Sequence, residues 1–154
     1  MTLRPKAFAL VLAIGIAGVT TAVLAHQGAT GVVKERMDGM GMLQEAVKQV
    51  GQMLRGNGAI DPETTRRAGQ ALQAHAGSQM TDLFPEGSLM PPSEALDVIW
   101  TDWAEFERLA AELDRAAQGL SSAAASNRAG VQAAFADVAS TCKACHEKFR
   151  EKKD

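Results

Sequence analysis

The stretch Ser140-Thr141-Cys142-Lys143-Ala144-Cys145-His146-Glu147-Lys148-Phe149-Arg150 lies at the end of a 154-residue chain and holds both of its cysteines. What it stands on is decided by the residues before it. Val131, Phe135, Val138 and Cys142 recur at steps of three and four, the spacing of one helix face, so a helix is expected from about Arg128 to Lys148. Working back toward the N-terminus, the same spacing appears three more times. Leu96, Trp100, Trp103, Phe106, Ala110 and Leu113 mark a helix that Ser93 can cap. Ala68, Leu72 and Ala76 mark another, starting at Asp61-Pro62-Glu63, where Asp caps and Pro occupies the first turn, and running to about Met80. Val33, Met37, Met40, Leu43, Val47, Val50 and Leu54 mark the first.

The connections follow from turn chemistry. Arg55-Gly56-Asn57-Gly58 is expected to end the first helix in a left-handed cap. Leu83 to Ser93, with three prolines and a glycine, reads as a loop that crosses the molecule without regular structure. Gly119 to Asn127 reads as a small polar, Ala-rich connection. No segment alternates with the period of a strand. The composition is 46% hydrophobic and 5% aromatic, with no Tyr and seven Met, which suits a core of small and flexible side chains. The expected fold is all-α, an antiparallel up-down-up-down four-helix bundle in one domain. Alternating helix directions bring the start of the first helix and the end of the fourth to the same end of the bundle.

Residues 1–25 read differently. Arg4 and Lys6 form a positive start, Ala7 to Ala25 is uncharged, and Val23-Leu24-Ala25 offers small residues for cleavage after Ala25. This is the pattern of a secretory signal peptide rather than of an uncleaved membrane anchor, and it places the domain 26–154, beginning at His26, in the periplasm. Without Arg4 and Lys6 the 16 basic residues fall to 14 against 18 acidic ones. No basic stripe remains to neutralise phosphates, which argues against nucleic acid as a partner. A disulfide between Cys142 and Cys145 would close too small a loop to stabilise the chain.

Cys-x-x-Cys-His admits three chemistries. A redox dithiol ordinarily sits at a helix N-terminus in a βα unit, where the dipole lowers a thiol pKa; here the pair lies near a helix C-terminus in a chain without strands. A zinc site needs four ligands, and only His75 or His26 remains to join the two cysteines and His146. Covalent haem attachment is the reading for which the pattern is specific. On a helix, Cys142, Cys145 and His146 share one face. The thiols add across haem vinyl groups as thioethers, and the adjacent imidazole reaches the iron. Export agrees, because bacterial c-type haem is attached outside the cytoplasm. The expected cofactor is one haem c, with His146 as an iron ligand.

The bundle topology nominates the residues on the cofactor's other side. Met37, Met40 and Met42 lie early in the first helix. Met40 continues the inner stripe with Leu43 and Val47 and stands four residues after Arg36. Met37 is one turn earlier, and Met42 falls off the inner face. A Met in this helix can also be a gap-filler in an ordinary core. His75 reads as a partly exposed histidine more than as a ligand. Trp100 and Trp103 read as core stacking, and Lys143 and Lys148 as solvated charges.

With Phe149-Arg150 following it, the C-terminal Cys142-Lys143-Ala144-Cys145-His146 in a four-helix chain resembles the cytochromes c′ and their low-spin relatives, the cytochromes c-556. The resemblance spans nearly all of the chain after the signal. It includes Val32 to Asp38, Leu83 to Ser88, and Ile99-Trp100-Thr101-Asp102-Trp103 with Phe106. It implies that Arg36 lies near a haem propionate, that Met40 faces the iron, and that Arg150 flanks the proximal side. In the c-556 branch, to which this chain is closer, the residue at the position of Met40 is a ligating Met. In the c′ branch it does not ligate. Two functions follow as expectations: a one-electron carrier with His146 and Met40 on a low-spin haem, serving redox partner proteins, or a protein of c′ type that binds or buffers a diatomic gas. Neither is an enzyme. The resemblance also allows a homodimer through the first two helices.

Overall fold

The computed structural model describes residues 28–152. The segment read as a signal peptide, with Arg4, Lys6 and the expected cleavage after Ala25, and also His26, lie outside the described residues. The helices are α1 (Gly31–Arg55), α2 (Pro62–Gln73), the short α3 (Ser78–Thr81) and α4 (Val98–Thr101), then α5 (Trp103–Ser122) and α6 (Arg128–Phe149). α1, α2, α5 and α6 are the four staves of the bundle. α2 packs along α1 and α5, and α5 along α6, whereas α1 and α6 touch only sparingly. Among the described residues the extended pairing is confined to one isolated antiparallel bridge, Ala95 with Arg150.

Local chemistry explains the helix starts. The Asp61 carboxylate accepts the N–H groups of Glu63 and Thr64 at 3.2 and 3.0 Å, and Pro62 occupies the first helical position. Asn127 caps α6 by accepting the Gly130 N–H at 3.0 Å. The core is a continuous cluster in which Val50, Leu72, Ile99, Leu120, Val131 and Val138 are fully buried.

Four expectations are corrected. The second helix stops at Gln73 and not at Met80, because Gly77 adopts φ +57° and donates its N–H to the Ala110 carbonyl of α5 at 3.0 Å. Only Gly accepts that backbone geometry cheaply, and α3 restarts beyond it. The first helix does not end in a left-handed cap; Gly56 is extended at φ −74°, ψ 162°, and Asn57 and Gly58 have negative φ as well. Ser93 does not start a long helix. Its hydroxyl accepts the Ala95 N–H, and the backbone at 94–96 is committed to the C-terminal tail, so helix resumes only at Val98. Gly119 to Asn127 is not a free connection, since α5 runs on to Ser122 and a 3-10 turn covers Ala123–Ala125.

The bundle has a tight end and an open end. At the tight end, Arg128 of α6 donates to the carbonyls of Leu54 and Gly58 at 2.9 and 2.5 Å, joining α6 to the end of α1. A Cβ on Gly51 of α1 would stand 3.6 Å from Phe135 Cζ of α6. Between α2 and α5 the backbones nearly touch: a Cβ on Gly69 would lie 2.3 Å from Ser121 Oγ, 2.6 Å from Ser121 N and 2.8 Å from Ala117 O. Two of those atoms are backbone and cannot move aside. Gly69→Ala is therefore expected to destabilise the fold by about 1–3 kcal/mol in urea unfolding. Gly119→Ala, on the exposed face of α5 where a Cβ meets nothing, is expected to stabilise it by about 0.5–1 kcal/mol.

Candidate functional site

α6 carries Cys142, Cys145 and His146 on its last turns. Both cysteines are half-buried against the core cluster. Burial pushes the Cys142 thiol pKa up, and burial with the adjoining Cys142 pushes Cys145 up to about 11. At neutral pH both sulfurs are uncharged. That environment disfavours the thiolates that zinc or dithiol chemistry requires and suits neutral thioethers. Among the described residues, no three His, Cys, Asp or Glu side chains converge on one point. The His146 imidazole is pushed below its ordinary pKa by desolvation and then by the Arg150 charge. It is neutral at pH 7 and offers a lone pair to a metal.

The register of α1 against α6 puts the other candidates in place. Met40 lies eleven residues before Gly51, and His146 lies eleven residues after Phe135, the residue that faces Gly51. Counted along two antiparallel helices from that contact, Met40 and His146 share a level. Met40 is half-buried and borders a cavity of about 10 Å³ that Arg36, Gly39, Leu43, His75 and Met80 also line, room for about one water. His75 lies against α1 beside Gly39, where a Cβ would stand 3.5 Å from His75 Nδ1, an ordinary contact. Met37 is half-buried but does not border this cavity, and Met42 is exposed.

Arg36 is not a solvated charge. It is 5% exposed, and its guanidinium carbon sits 4.1 Å from the Phe84 ring centroid. Nη2 donates to the Ser88 carbonyl at 3.1 Å and to the Ser88 hydroxyl at 2.9 Å. Nε and Nη1 are buried with no hydrogen-bond partner among the described residues, and burial lowers the pKa of the group. Buried donors are nearly always paired in a native protein. Two orphaned N–H-bearing nitrogens, one turn from Met40, are the donor set that a carboxylate of a bound group satisfies. The residues present thus fit a haem: apolar sulfurs for the tether, a neutral imidazole for the iron, and unpaired guanidinium donors for a propionate.

Arg150 stands one residue past α6, in extended conformation, with Nε and Nη2 on Glu94 Oε2 at 2.9 and 2.6 Å. Phe149 is buried edge-on against Phe106, with centroids 5.3 Å apart. Trp100 donates Nε1 to the Phe84 carbonyl at 3.0 Å, and Trp103 lies tilted on Phe106 at 5.5 Å, so both pack the core edge. Lys148 pairs with Asp102, and Lys143 with Glu147. The sequence reading did not single out Ser88, Glu94 or Met80 as site residues. Met80 had a signal, since it continues the stripe of Leu72 and Ala76. Ser88 and Glu94 had none, because each meets its partner across more than fifty positions.

The family model described as Cytochrome C′ matches residues 31–150. Cytochrome c-554 of Cereibacter sphaeroides is 30% identical over 116 residues, covering 73% of this chain and 76% of that protein. Cytochrome c-556 of Agrobacterium tumefaciens is 28% identical, covering 80% of this chain and 99% of that one. The solved cytochrome c′ of Rhodopseudomonas palustris superposes with a TM-score of 0.75 at 30% identity, covering 82% of this chain and 100% of that one.

The Arg36 geometry yields a direct test. Arg36→Met in the haem-loaded protein is expected to cost about 3 kcal/mol of stability, the scale for breaking a buried charge pair. Ser88→Ala, which removes one hydroxyl acceptor, is expected to cost about 1 kcal/mol. Thermal unfolding of the two variants side by side checks the difference.

Proposed function

Because the chain belongs to the cytochrome c′ family, whose members carry one covalently bound haem c and serve in electron transfer or gas binding, we propose that it is a one-electron carrier with His146 and Met40 as axial ligands. The haem supplies the redox couple when bound. Cys142 and Cys145 tether it, and the neutral His146 imidazole meets the iron from α6. Arg36, with its two unpaired nitrogens, holds a propionate and keeps that edge of the site from water. The observation that carries the reading is the placement of Met40, on the level of His146 and beside the small cavity next to Arg36. A thioether at the sixth position raises the reduction potential and resists displacement by water. Ligands that stay in place through oxidation and reduction suit a carrier.

The gas-binding reading has its own support. The matching family model and the Rhodopseudomonas palustris structure carry the c′ name, and Met40 borders a space that a small molecule enters if its sulfur stands aside. Family members are periplasmic, often dimeric, and are not classical enzymes. Among the described residues no helix is long and apolar enough to cross a membrane. The pattern from Arg4 to Ala25 supports export through a cleaved signal, and the acidic balance of residues 26–154 supports redox partner proteins over nucleic acid.

An absorption spectrum of the oxidised protein decides between the two readings. Low-spin bands with a sulfur-to-iron charge-transfer feature are expected, and Met40→Ala is expected to abolish that feature. A high-spin spectrum that responds strongly to carbon monoxide means that the distal position is open. Loss of the feature in Met37→Ala, His75→Ala or Met80→Ala, with Met40→Ala unchanged, assigns the ligand elsewhere.

A further inference from the structure

The last turn of α6 is held by more than its own helix. The residue after it, Arg150, is extended (φ −124°, ψ 142°) and runs antiparallel to the segment before α4. The Leu96 N–H donates to the Phe149 carbonyl at 3.0 Å, and the Glu151 N–H donates to the Glu94 carbonyl at 2.8 Å. Between these two backbone bonds, Arg150 places Nε and Nη2 on one carboxylate oxygen of Glu94. Phe149 on Phe106 and Lys148 on Asp102 fix the same turn to α5. The clamp therefore joins the loop at 94–96 to the helix end that bears His146.

We propose that Glu94 is a positioning residue for the proximal side of the haem site, acting through Arg150. This rests on His146 being an iron ligand. The guanidinium lies four residues beyond His146 on a long, flexible side chain, so its direction depends on what holds it. Two charge-assisted hydrogen bonds to one carboxylate direct it toward the loop at 94–96 and offset its charge. Without Glu94, the same side chain loses its anchor, its charge is no longer offset, and its donors are released beside the imidazole. A positive charge near the site favours the reduced state of a haem. Glu94 thus sets the potential downward and keeps the proximal face clear, although it lies 52 residues before His146.

The test is a double-substitution cycle in the haem-loaded protein, read by midpoint potential and by amide exchange at Leu96 and Glu151. Glu94→Gln is expected to raise the potential, and Glu94→Asp to restore most of the original value. In an Arg150→Gln background, the shift from Glu94→Gln is expected to fall below half of its size alone. An equal shift in both backgrounds means that the carboxylate acts by its own charge, and the proposal fails. Faster exchange at Leu96 and Glu151 with an unchanged potential means that the clamp is structural only, and the proposal fails again. If Glu94→Gln does not fold, Glu94→Ala in the wild-type and Arg150→Gln backgrounds supplies the cycle under the same criterion. The carrier reading stands or falls separately, on the spectrum of the unsubstituted protein.

Discussion

A guanidinium sealed into an apolar helix bundle with two of its three nitrogens unpaired is a state that a protein does not keep without a reason. Arg36 is in that state, and the organisation of the open end follows from it. Its one bonded nitrogen is anchored by Ser88, which fixes the loop after Phe84 over the start of α1. The Phe84 ring lies under the guanidinium and also meets Phe106 edge-on at 4.8 Å. Phe106 in turn carries Phe149. The charge at one edge of the site is thus coupled by a row of aromatic rings to the helix end that holds His146. Leaving buried donors unpaired costs on the order of 1–3 kcal/mol each, and an anionic group bound there offsets that cost.

The two ends of the bundle divide the work. At the tight end, Gly69 lets the backbones of α2 and α5 approach at Ser121 and Ala117, and Gly51 faces the Phe135 ring. Arg128 bonds the carbonyls of Leu54 and Gly58, so α1 and α6 are fixed to each other there. Over their length α1 and α6 touch only sparingly, and the side chains with chemistry to offer lie on them: Arg36 and Met40 on α1, and Cys142, Cys145 and His146 on α6. The loop from Leu83 to Asp97 closes the remaining side. Ser88 binds Arg36 and Glu94 binds Arg150, so one irregular segment braces both helices of the site.

What was legible in the sequence was whatever chemistry is local. The steps of three and four fixed which residues of α1, α5 and α6 face inward, and Asp61-Pro62 fixed where α2 begins. Cys142, Cys145 and His146 could be read together because a helix brings such spacings to one face. The readings that failed depended on distant backbone partners. Gly77 ends α2 because it bonds Ala110, thirty-three positions away. Ser93 does not open a helix because Glu94 and Leu96 bond the C-terminal tail. Gly56 could have closed a left-handed cap, but the chain leaves it extended toward Asp61. Arg36 was expected at a propionate on resemblance, and only the folded chain shows how deeply it is buried and which of its nitrogens lack a partner.

Membership of the cytochrome c′ family carries the haem; it does not decide what the haem does. That choice is a competition for one small space on α1. Met40, Met80 and His75 all border the cavity beside Arg36, and its volume of about 10 Å³ has room for about one water. A sulfur that fills this space leaves none for a diatomic molecule, and a sulfur that turns away leaves a site open to one. His75, Met80 and Leu83 border the same cavity as Met40, while Leu43 stays buried one turn beyond. Because Met has three rotatable bonds and low packing specificity, its neighbours, more than its own conformational preference, decide where its sulfur rests. On this view the difference between a carrier and a gas binder on this fold lies in the residues that confine position 40 as much as in the residue at position 40.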